Sequence, residues 1–280
     1  MKYFIGIAWF LVSLAISCIN DIIAKYIYAN NLSSLEISFY RFLFGTISFL
    51  PVIIFYGLKS IKTSHIKLHF LRGILLSLAI FLWISGLQSS QVAIATTISF
   101  TIPIFVLILA PLILKESVSF VLWIVTFISM IGIYITISPH SIKFTSNSYL
   151  FVIAAILFAT LDVINKKYIT KEKMLCMLFY SSLFTTIILF IPLLNGFKVP
   201  TSKDIFYFTI LGIGSNLILF CILKAFDTVK ASVLAPLRYI ELIFSIILGY
   251  FIFNDIPSYN MLIGASIIIP TSLYVILKFK

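Results

Sequence analysis

The pentapeptide DIIAK at residues 21–25 has a counterpart, DVINK at residues 162–166, about 141 positions further along the chain. In each copy an aspartate lies near the end of a long apolar run, and a lysine follows four residues later. A carboxylate inside a membrane-length apolar segment is energetically costly, so such a residue indicates a functional site. Its occurrence at matching places in two halves of the chain predicts a duplicated bundle of membrane helices.

The composition supports a membrane protein. Hydrophobic residues make up 61% of the chain and charged residues only 10%, whereas a soluble domain typically has about 25% charged residues. The formal net charge is +11, but no polar domain is present to carry a basic face. We therefore expect a chain embedded in the lipid bilayer that does not bind nucleic acid.

A membrane-spanning helix needs about 20 predominantly apolar residues. By this criterion we expect an all-α membrane protein with ten transmembrane helices, joined by loops too short to hold a folded soluble domain. The ten segments are residues 4–28, 35–57, 70–88, 92–114, 119–138, 148–165, 176–195, 205–223, 231–253 and 259–277.

The distribution of positive charge predicts the orientation of the chain. Fourteen of the 20 lysine and arginine residues lie at one set of span ends, four lie at the other set, and Arg41 and Arg238 lie inside spans. Positive residues concentrate on the cytoplasmic side of a membrane. Both termini are therefore expected in the cytoplasm, which requires an even number of spans.

The repeat extends beyond the two pentapeptides. Pro51 pairs with Pro192 at a similar offset, which divides the chain into repeats of five helices at residues 1–138 and 148–280. With five spans per repeat, the second repeat enters the membrane in the opposite direction. This arrangement predicts an inverted-topology repeat, as found in many secondary transporters.

Five charged residues fall inside the expected spans: Asp21, Arg41, Asp162, Arg238 and Glu241. Each costs about 2.5–3.5 kcal/mol at the middle of a helix. Their depths allow an outer pair of Asp21 with Arg41 and an inner pair of Asp162 with Arg238. We hypothesise that the two pairs form alternating gates. The alternative is that the charges pair or reach toward water only to hold the helices together.

Arg238 and Glu241 are three residues apart and would share a helix face. Pro236, just before them, cannot donate a backbone hydrogen bond. A helix opened in this way is a candidate substrate contact, in which the planar guanidinium of Arg238 binds a carboxylate and Glu241 meets a cation or a proton. The alternative is an ion pair within the helix at a kink.

Three aromatic residues, Tyr40, Trp83 and Tyr239, are candidates to stack on a ring or to hold a cation. Aromatic side chains also fill cores and line membrane interfaces, so packing is the competing interpretation.

The chain lacks the sequence motifs of several kinds of chemistry. The chain has no phosphate-binding loop of the ATPase type and no HExxH motif, and its three cysteines show no CxxC spacing. His65 and His69 lie in a basic stretch, which we interpret as a solvated loop. We expect no metal, no cofactor and no catalytic residues. A membrane enzyme acting on lipid and a purely structural subunit are the alternatives from other classes.

Over essentially its whole length the chain resembles the EamA-type drug/metabolite transporters. The similarity rests on the two five-span halves, on residues 95–116 with Pro103 inside, and on residues 233–257, which begin VLAPLRYIE. The family usually has glutamate where this chain has Asp255. The resemblance implies a secondary carrier that works by alternating access in the bacterial inner membrane.

Within that family, residues 39–42 (FYRF) and 236–241 (PLRYIE) are similar to carriers that take up S-adenosylmethionine. The resemblance implies import of this metabolite, with an arginine on its carboxylate, acidic residues on its cationic groups and an aromatic ring on its adenine. An ordinary amino acid would also suit these residues. An amino-acid or drug exporter of the same family is therefore the alternative, and the coupling ion and oligomeric state stay open.

Overall fold

The computed structural model describes residues 1–28, 32–89, 98–137, 149–253 and 256–280, and in these ranges all regular structure is helical. Some features of the sequence-based prediction lie outside them: residues 92–97 at the start of the expected fourth span, residue 138 at the end of the first repeat, residue 148 at the start of the second repeat, and Asp255.

Twelve helices are labelled here in chain order within the described ranges. They are α1 (Lys2–Tyr28), α2 (Ser34–Ile47), α3 (Leu50–Tyr56), α4 (Ile66–Ser89), α5 (Ile102–Leu109), α6 (Phe120–Ile137), α7 (Tyr149–Tyr168), α8 (Met174–Phe190), α9 (Ser202–Thr228), α10 (Ala231–Leu234), α11 (Glu241–Phe253) and α12 (Tyr259–Lys278). Short irregular helical turns occupy Leu58–Ile61, Ala110–Leu114, Ile191–Asn195 and Ala235–Ile240.

Prolines mark the breaks within the longer helical segments. Pro51 lies in the first turn of α3, Pro111 begins a π-helical turn after α5, and Pro192 and Pro236 begin 3₁₀ turns. Proline lacks the N–H that would continue the i to i−4 hydrogen-bond ladder, so the helix changes geometry at these places. The break at Pro236 matters for function because Arg238 lies inside it.

Eight helical segments are long and apolar enough to cross a membrane, and two shorter apolar segments lie at Ile102–Leu114 and Phe120–Thr136 within the described residues. The prediction of an all-α membrane protein is confirmed. The expected fourth and fifth spans correspond to the two shorter segments, so a count of ten full spans stays a prediction.

The outer surface carries the apolar residues that a lipid environment requires. Ile54, Phe55 and Phe251 have 82%, 81% and 75% of their surface exposed. Large apolar side chains exposed to this extent are unfavourable in water but match a hydrocarbon solvent.

The helices of the first half (α1–α6) pack against those of the second half (α7–α12) in reciprocal pairs. Helix α1 packs on α9 and α4 packs on α7, so the first span of each half contacts the third span of the other. Helix α2 likewise contacts α9 as α8 contacts α4, and α6 contacts α12. A contact that recurs with its two partners exchanged is the pattern that a two-fold axis produces.

Two side-chain contacts connect residues that correspond in the repeat. The hydroxyl oxygens of Thr46 and Thr186 are 3.2 Å apart and their positions differ by 140. Those of Ser129 and Thr271 are 3.0 Å apart and differ by 142. These offsets match that of the repeated pentapeptides, as expected if each pair joined corresponding residues of two repeats. Such contacts are expected where the halves meet on a local two-fold axis.

Candidate functional site

The shortest ion pair within the described part of the chain joins Arg238 to Asp162, with 2.5 Å between Nη2 and Oδ2. Asp162 lies six residues before the end of α7, and Arg238 lies in the 3₁₀ turn that Pro236 begins. Side-chain exposures are 17% for Arg238 and 11% for Asp162. The contact expected between these two residues is therefore present, and it joins the second half's first span to its fourth.

The protein is closely packed around this pair. A void of only about 10 Å³ remains beside it, and its lining includes Phe10, Phe226 and Leu234. A single water needs roughly that volume. Phe10, Phe226 and Leu234 are buried and belong to the main core cluster. Within the described residues, the void beside the Asp162–Arg238 pair is therefore too small for a metabolite.

Asp21 and Arg41 occupy a different environment. The two residues interact electrostatically, but among the described residues no ion pair within 4.0 Å joins them. Arg41 instead donates from Nε to Ser215 Oγ at 2.5 Å, and the side chain of Asp21 is exposed. The expected outer pair is therefore open, while the inner pair is closed.

Glu241 interacts with residues of both pairs. It is within electrostatic reach of Arg238, and Ser17 of α1 lies within hydrogen-bonding reach of its carboxylate. It also interacts electrostatically with Asp21. Glu241 therefore interacts electrostatically with one member of each pair. Arg238 makes its close contact with Asp162, so an ion pair confined to the Arg238–Glu241 helix is not the arrangement seen.

The three candidate aromatic residues are engaged in packing. Tyr239 is fully buried and donates its hydroxyl to Phe100 O at 3.1 Å. Tyr40 is buried and donates to Lys198 O at 2.7 Å. Trp83 is half-buried and meets the Phe151 ring edge-on with 5.2 Å between centroids. A role in stacking on a substrate stays a prediction for all three.

Sequence reasoning missed the polar side chains that support the charges. Asn20 donates through Nδ2 to Leu211 O and Ser215 Oγ, each at 3.3 Å, and so connects α1 to the partner of Arg41. Asn20 immediately precedes Asp21. A polar residue next to a candidate charge inside an apolar run was the signal available.

A second omission is Arg72, which was counted among the charges at span ends but is fully buried. Its Nε donates to Asn165 Oδ1 at 2.8 Å and its Nη1 to Met177 O at 3.1 Å. Asn165 belongs to the second pentapeptide, DVINK. The polar difference between DIIAK and DVINK therefore marks a contact between α4 and α7.

The interpretation of His65 and His69 as a solvated loop was wrong for His69, which is fully buried. The carboxylate of Glu172 lies 3.1 Å from His65 Nδ1 and 3.4 Å from His69 Nε2, and it accepts a hydrogen bond from Thr63. Glu172, in the loop between α7 and α8, therefore contacts both imidazole rings at the start of α4.

Comparison with known proteins assigns the chain to a family. The EamA-like transporter family matches it twice, at residues 4–138 and 146–277. The chain belongs to the EamA-like transporter family.

Relatives in this family are similar over nearly the whole chain. The S-adenosylmethionine uptake transporter of Rickettsia bellii is 45% identical over 99% of this chain and 95% of its own length. Its counterpart in Rickettsia conorii is 44% identical over 99% and 94%. A riboflavin transporter of Brucella anthropi is 31% identical over 86% and 87%.

The fold is also found among solved structures. A protein of known crystal structure superimposes with a TM-score of 0.78, covering 99% of this chain and 97% of its own, at 14% identity. At this level of identity the likeness concerns the fold alone.

Proposed function

We propose that this EamA-family protein imports S-adenosylmethionine across the bacterial inner membrane by alternating access. The observation that carries the proposal is the 45% identity, over 99% of the chain, to an S-adenosylmethionine uptake transporter. The five charged residues inside the spans are compatible with a charged substrate, because such residues in a carrier mark the path of the substrate.

The charged groups of S-adenosylmethionine are complementary to these residues. S-adenosylmethionine carries a carboxylate, an ammonium and a sulfonium. Among the described residues neither Asp21 nor Glu241 forms an ion pair within 4.0 Å, so both carboxylates remain for its cationic groups. Arg41 bonds Ser215 through Nε, and a guanidinium has two further nitrogens that can grip a carboxylate.

The reciprocal contacts support an inverted repeat. Gly6 of α1 approaches Thr228 at the far end of α9, and Gly214 approaches Asn20, so α1 and α9 run antiparallel. Helices α4 and α7 run antiparallel as well, since Gly86 meets Phe151 while Arg72 meets Asn165. Two halves related by a two-fold axis with antiparallel first and third spans insert in opposite directions.

In the proposed cycle the two pairs act as gates at opposite sides. The closed Asp162–Arg238 pair lies on the side of the chain termini, where Lys166 bonds the last turn of α9 close to the start of α1. The open Asp21–Arg41 pair lies on the other side. With cytoplasmic termini, this arrangement corresponds to an outward-facing state that is ready to receive a substrate from outside.

The relatives named for riboflavin support a second candidate, a flavin carrier. Riboflavin has no carboxylate and no fixed cation, so it offers no ionic partner to Asp21 or Glu241, which form no ion pair within 4.0 Å among the described residues. Charges inside a membrane are costly unless they are paired, which favours the charged cargo.

The proposal is tested by expressing the full chain in bacterial cells that do not take up S-adenosylmethionine. Labelled S-adenosylmethionine should accumulate above the empty-vector level, and unlabelled S-adenosylmethionine should compete better than riboflavin or amino acids. Uptake equal to the vector control, with insertion of the protein proven, would reject the assigned substrate. Labelled efflux faster than uptake would instead favour an exporter.

A further inference from the structure

We propose that a basic depression at the termini end of the bundle binds the phosphate of an anionic phospholipid. The depression has a volume of about 460 Å³ and lies between the π-helical turn after α5 and the last turn of α7. Its polar wall includes Lys115, Lys167 and Lys171; these three residues are called the lysine triad below. The inference is independent of the transported substrate.

Glu116, the one carboxylate that the described residues contribute to the lining of the depression, is already engaged. Its Oε2 accepts hydrogen bonds from the backbone N–H of Ser232 at 3.3 Å and from the Ser232 hydroxyl at 2.9 Å. Glu116 thereby holds the first turn of α10. It is directed to a helix terminus that favours negative charge, and it does not form an ion pair within 4.0 Å with any lysine of the described chain.

A fourth lysine in the lining, Lys166, is committed as well. Its Nζ donates to Phe226 O at 2.5 Å and to Val229 O at 2.8 Å, so it caps the last turn of α9. Lys166 is therefore a structural cation, and the lysine triad provides the charge that remains for a ligand.

The lysine triad lacks a counter-ion. Among the described residues, no acidic group lies within 4.0 Å of Lys115, Lys167 or Lys171, and all three are exposed. Lys171 Nζ lies 5.9 Å from the centroid of the Tyr168 ring, a neutral neighbour. Three ammonium groups around one depression create a positive potential that an anion would relieve.

The walls of the depression favour a lipid over a free ion. Ile113 and Leu114 line the depression together with the lysines, and neighbouring Leu112 is 72% exposed. Lys115 directly follows this apolar turn and has a left-handed backbone conformation with φ of 57°. The apolar turn therefore ends where the basic part of the lining begins. A ligand that is anionic at one end and apolar at the other fits this boundary.

The test uses the purified full chain in detergent with phosphatidylglycerol or cardiolipin, with phosphatidylcholine, and with inorganic phosphate at equal phosphate concentration. Native mass spectrometry measures retained lipid, and thermal unfolding measures Tm. The test variant combines Lys115→Gln, Lys167→Gln and Lys171→Gln. The matched control combines Lys2→Gln, Lys62→Gln and Lys67→Gln, which removes three exposed lysines elsewhere. Lys167→Gln alone serves if the triple test variant folds poorly.

The wild type and the control should retain anionic lipid and gain Tm with it, while phosphatidylcholine has no such effect. The triad variant should bind anionic lipid on the order of a hundredfold more weakly, and Lys167→Gln should show a smaller loss in the same direction. Equal retention by the triad variant and the control would overturn the proposal. A gain in Tm with inorganic phosphate equal to that with lipid would overturn the choice of a lipid as the ligand.

Discussion

At the scale of single residues, the two charge pairs contribute differently to stability. One is the ion pair of Asp162 with Arg238, and the other is the open pair of Asp21 with Arg41. The first pair is nearly buried, so each of its charges depends on the other for stabilisation. In the second pair, Asp21 is exposed and Arg41 is bound by Ser215. Neutral substitutions at the two aspartates are therefore expected to differ in their effects on stability.

Asp162→Asn should lower Tm by several degrees, because removal of one partner of a nearly buried pair leaves Arg238 uncompensated, at a cost of about 3–5 kcal/mol. Asp21→Asn should leave Tm within a degree or two of the wild type. Both should reduce uptake of S-adenosylmethionine at least about tenfold, for a loss of 1.4 kcal/mol or more. The measurement combines thermal unfolding with uptake normalised to inserted protein. A stable, inactive Asp162→Asn protein would contradict the distinction.

The pairing itself predicts rescue. Exchanging the charges, with Asp162→Arg and Arg238→Asp in one protein, should restore more uptake than either single charge reversal retains, because the swap recreates the attraction across the same gap. A matched swap of Asp21 and Arg41 should rescue less, since this pair is open in the state described. If the inner swap is no better than its singles, the two residues do not act as a pair.

At the scale of helices, the contact between α2 and α9 depends on the absence of a side chain at Gly212. A Cβ placed there would lie 2.4 Å from Gly45 N and 2.9 Å from Arg41 O. At the facing Gly45 a Cβ would come no closer than 3.4 Å to its neighbours. Close approach of backbones through small residues is a usual device for joining helices in lipid.

Gly212→Ala should therefore destabilise the protein by about 1–3 kcal/mol, the usual range for overpacking, and should impair uptake because Arg41 lies at the same contact. Gly45→Ala is the control on the facing helix and should change Tm little. Thermal unfolding in one detergent provides the comparison. Equal Tm values for the two variants would show that the backbones are not in close contact at Gly212.

A second helix-scale element joins the start of α4 to the loop between α7 and α8. Burial tends to raise the pKa of Glu172, but hydrogen bonds from Thr63, from the backbone N–H of Lys173 and from His65 hold it below the ordinary value of 4.5. A carboxyl with a lowered pKa stabilises the fold above its unfolded pKa, and that stabilisation disappears as the pH falls through the folded value.

Glu172→Gln should consequently lower Tm at pH 7, and its difference from the wild type should shrink as the pH drops below 4.5. Asp227→Asn, which removes an exposed carboxylate at the same end of the bundle, controls for general effects of charge. Thermal unfolding at several pH values supplies the measurement. A deficit for Glu172→Gln that persists undiminished in acid would show that the ionised carboxylate is not what holds the two histidines.

At the scale of the whole molecule, the sequence predicted the membrane class and the helix positions well, because long apolar runs and prolines act locally. The predicted spans at 35–57 and 231–253 agree closely with the helical segments Ser34–Tyr56 and Ala231–Ile252. The close contact of Asp162 with Arg238 followed from matching their depths in the membrane, which the helical rise determines.

Other features depend on which helix faces pack together. A single sequence of mostly apolar helices does not indicate these contacts. The burial of Arg72 and His69 arises because α4 packs against α7 and α8, and this neighbourhood has no local sequence signal. The aromatic candidates show the same limit, since Tyr239 is buried by a contact with Phe100 about 139 positions away. The sequence nevertheless indicated the reciprocal packing of the halves, because the separation of Thr46 and Thr186 matches the offset between the two pentapeptides.

We propose that this chain is a carrier in which the intramembrane charges mark the substrate path between two repeated halves. The proposal is most directly tested with the purified protein reconstituted in liposomes, by measuring entry of labelled S-adenosylmethionine over time. We predict saturable entry that exceeds that of empty liposomes and that falls at least about tenfold when Asp21→Asn protein is reconstituted in equal amount. Entry no faster than into empty liposomes, with the protein shown to be folded and inserted, would contradict the account.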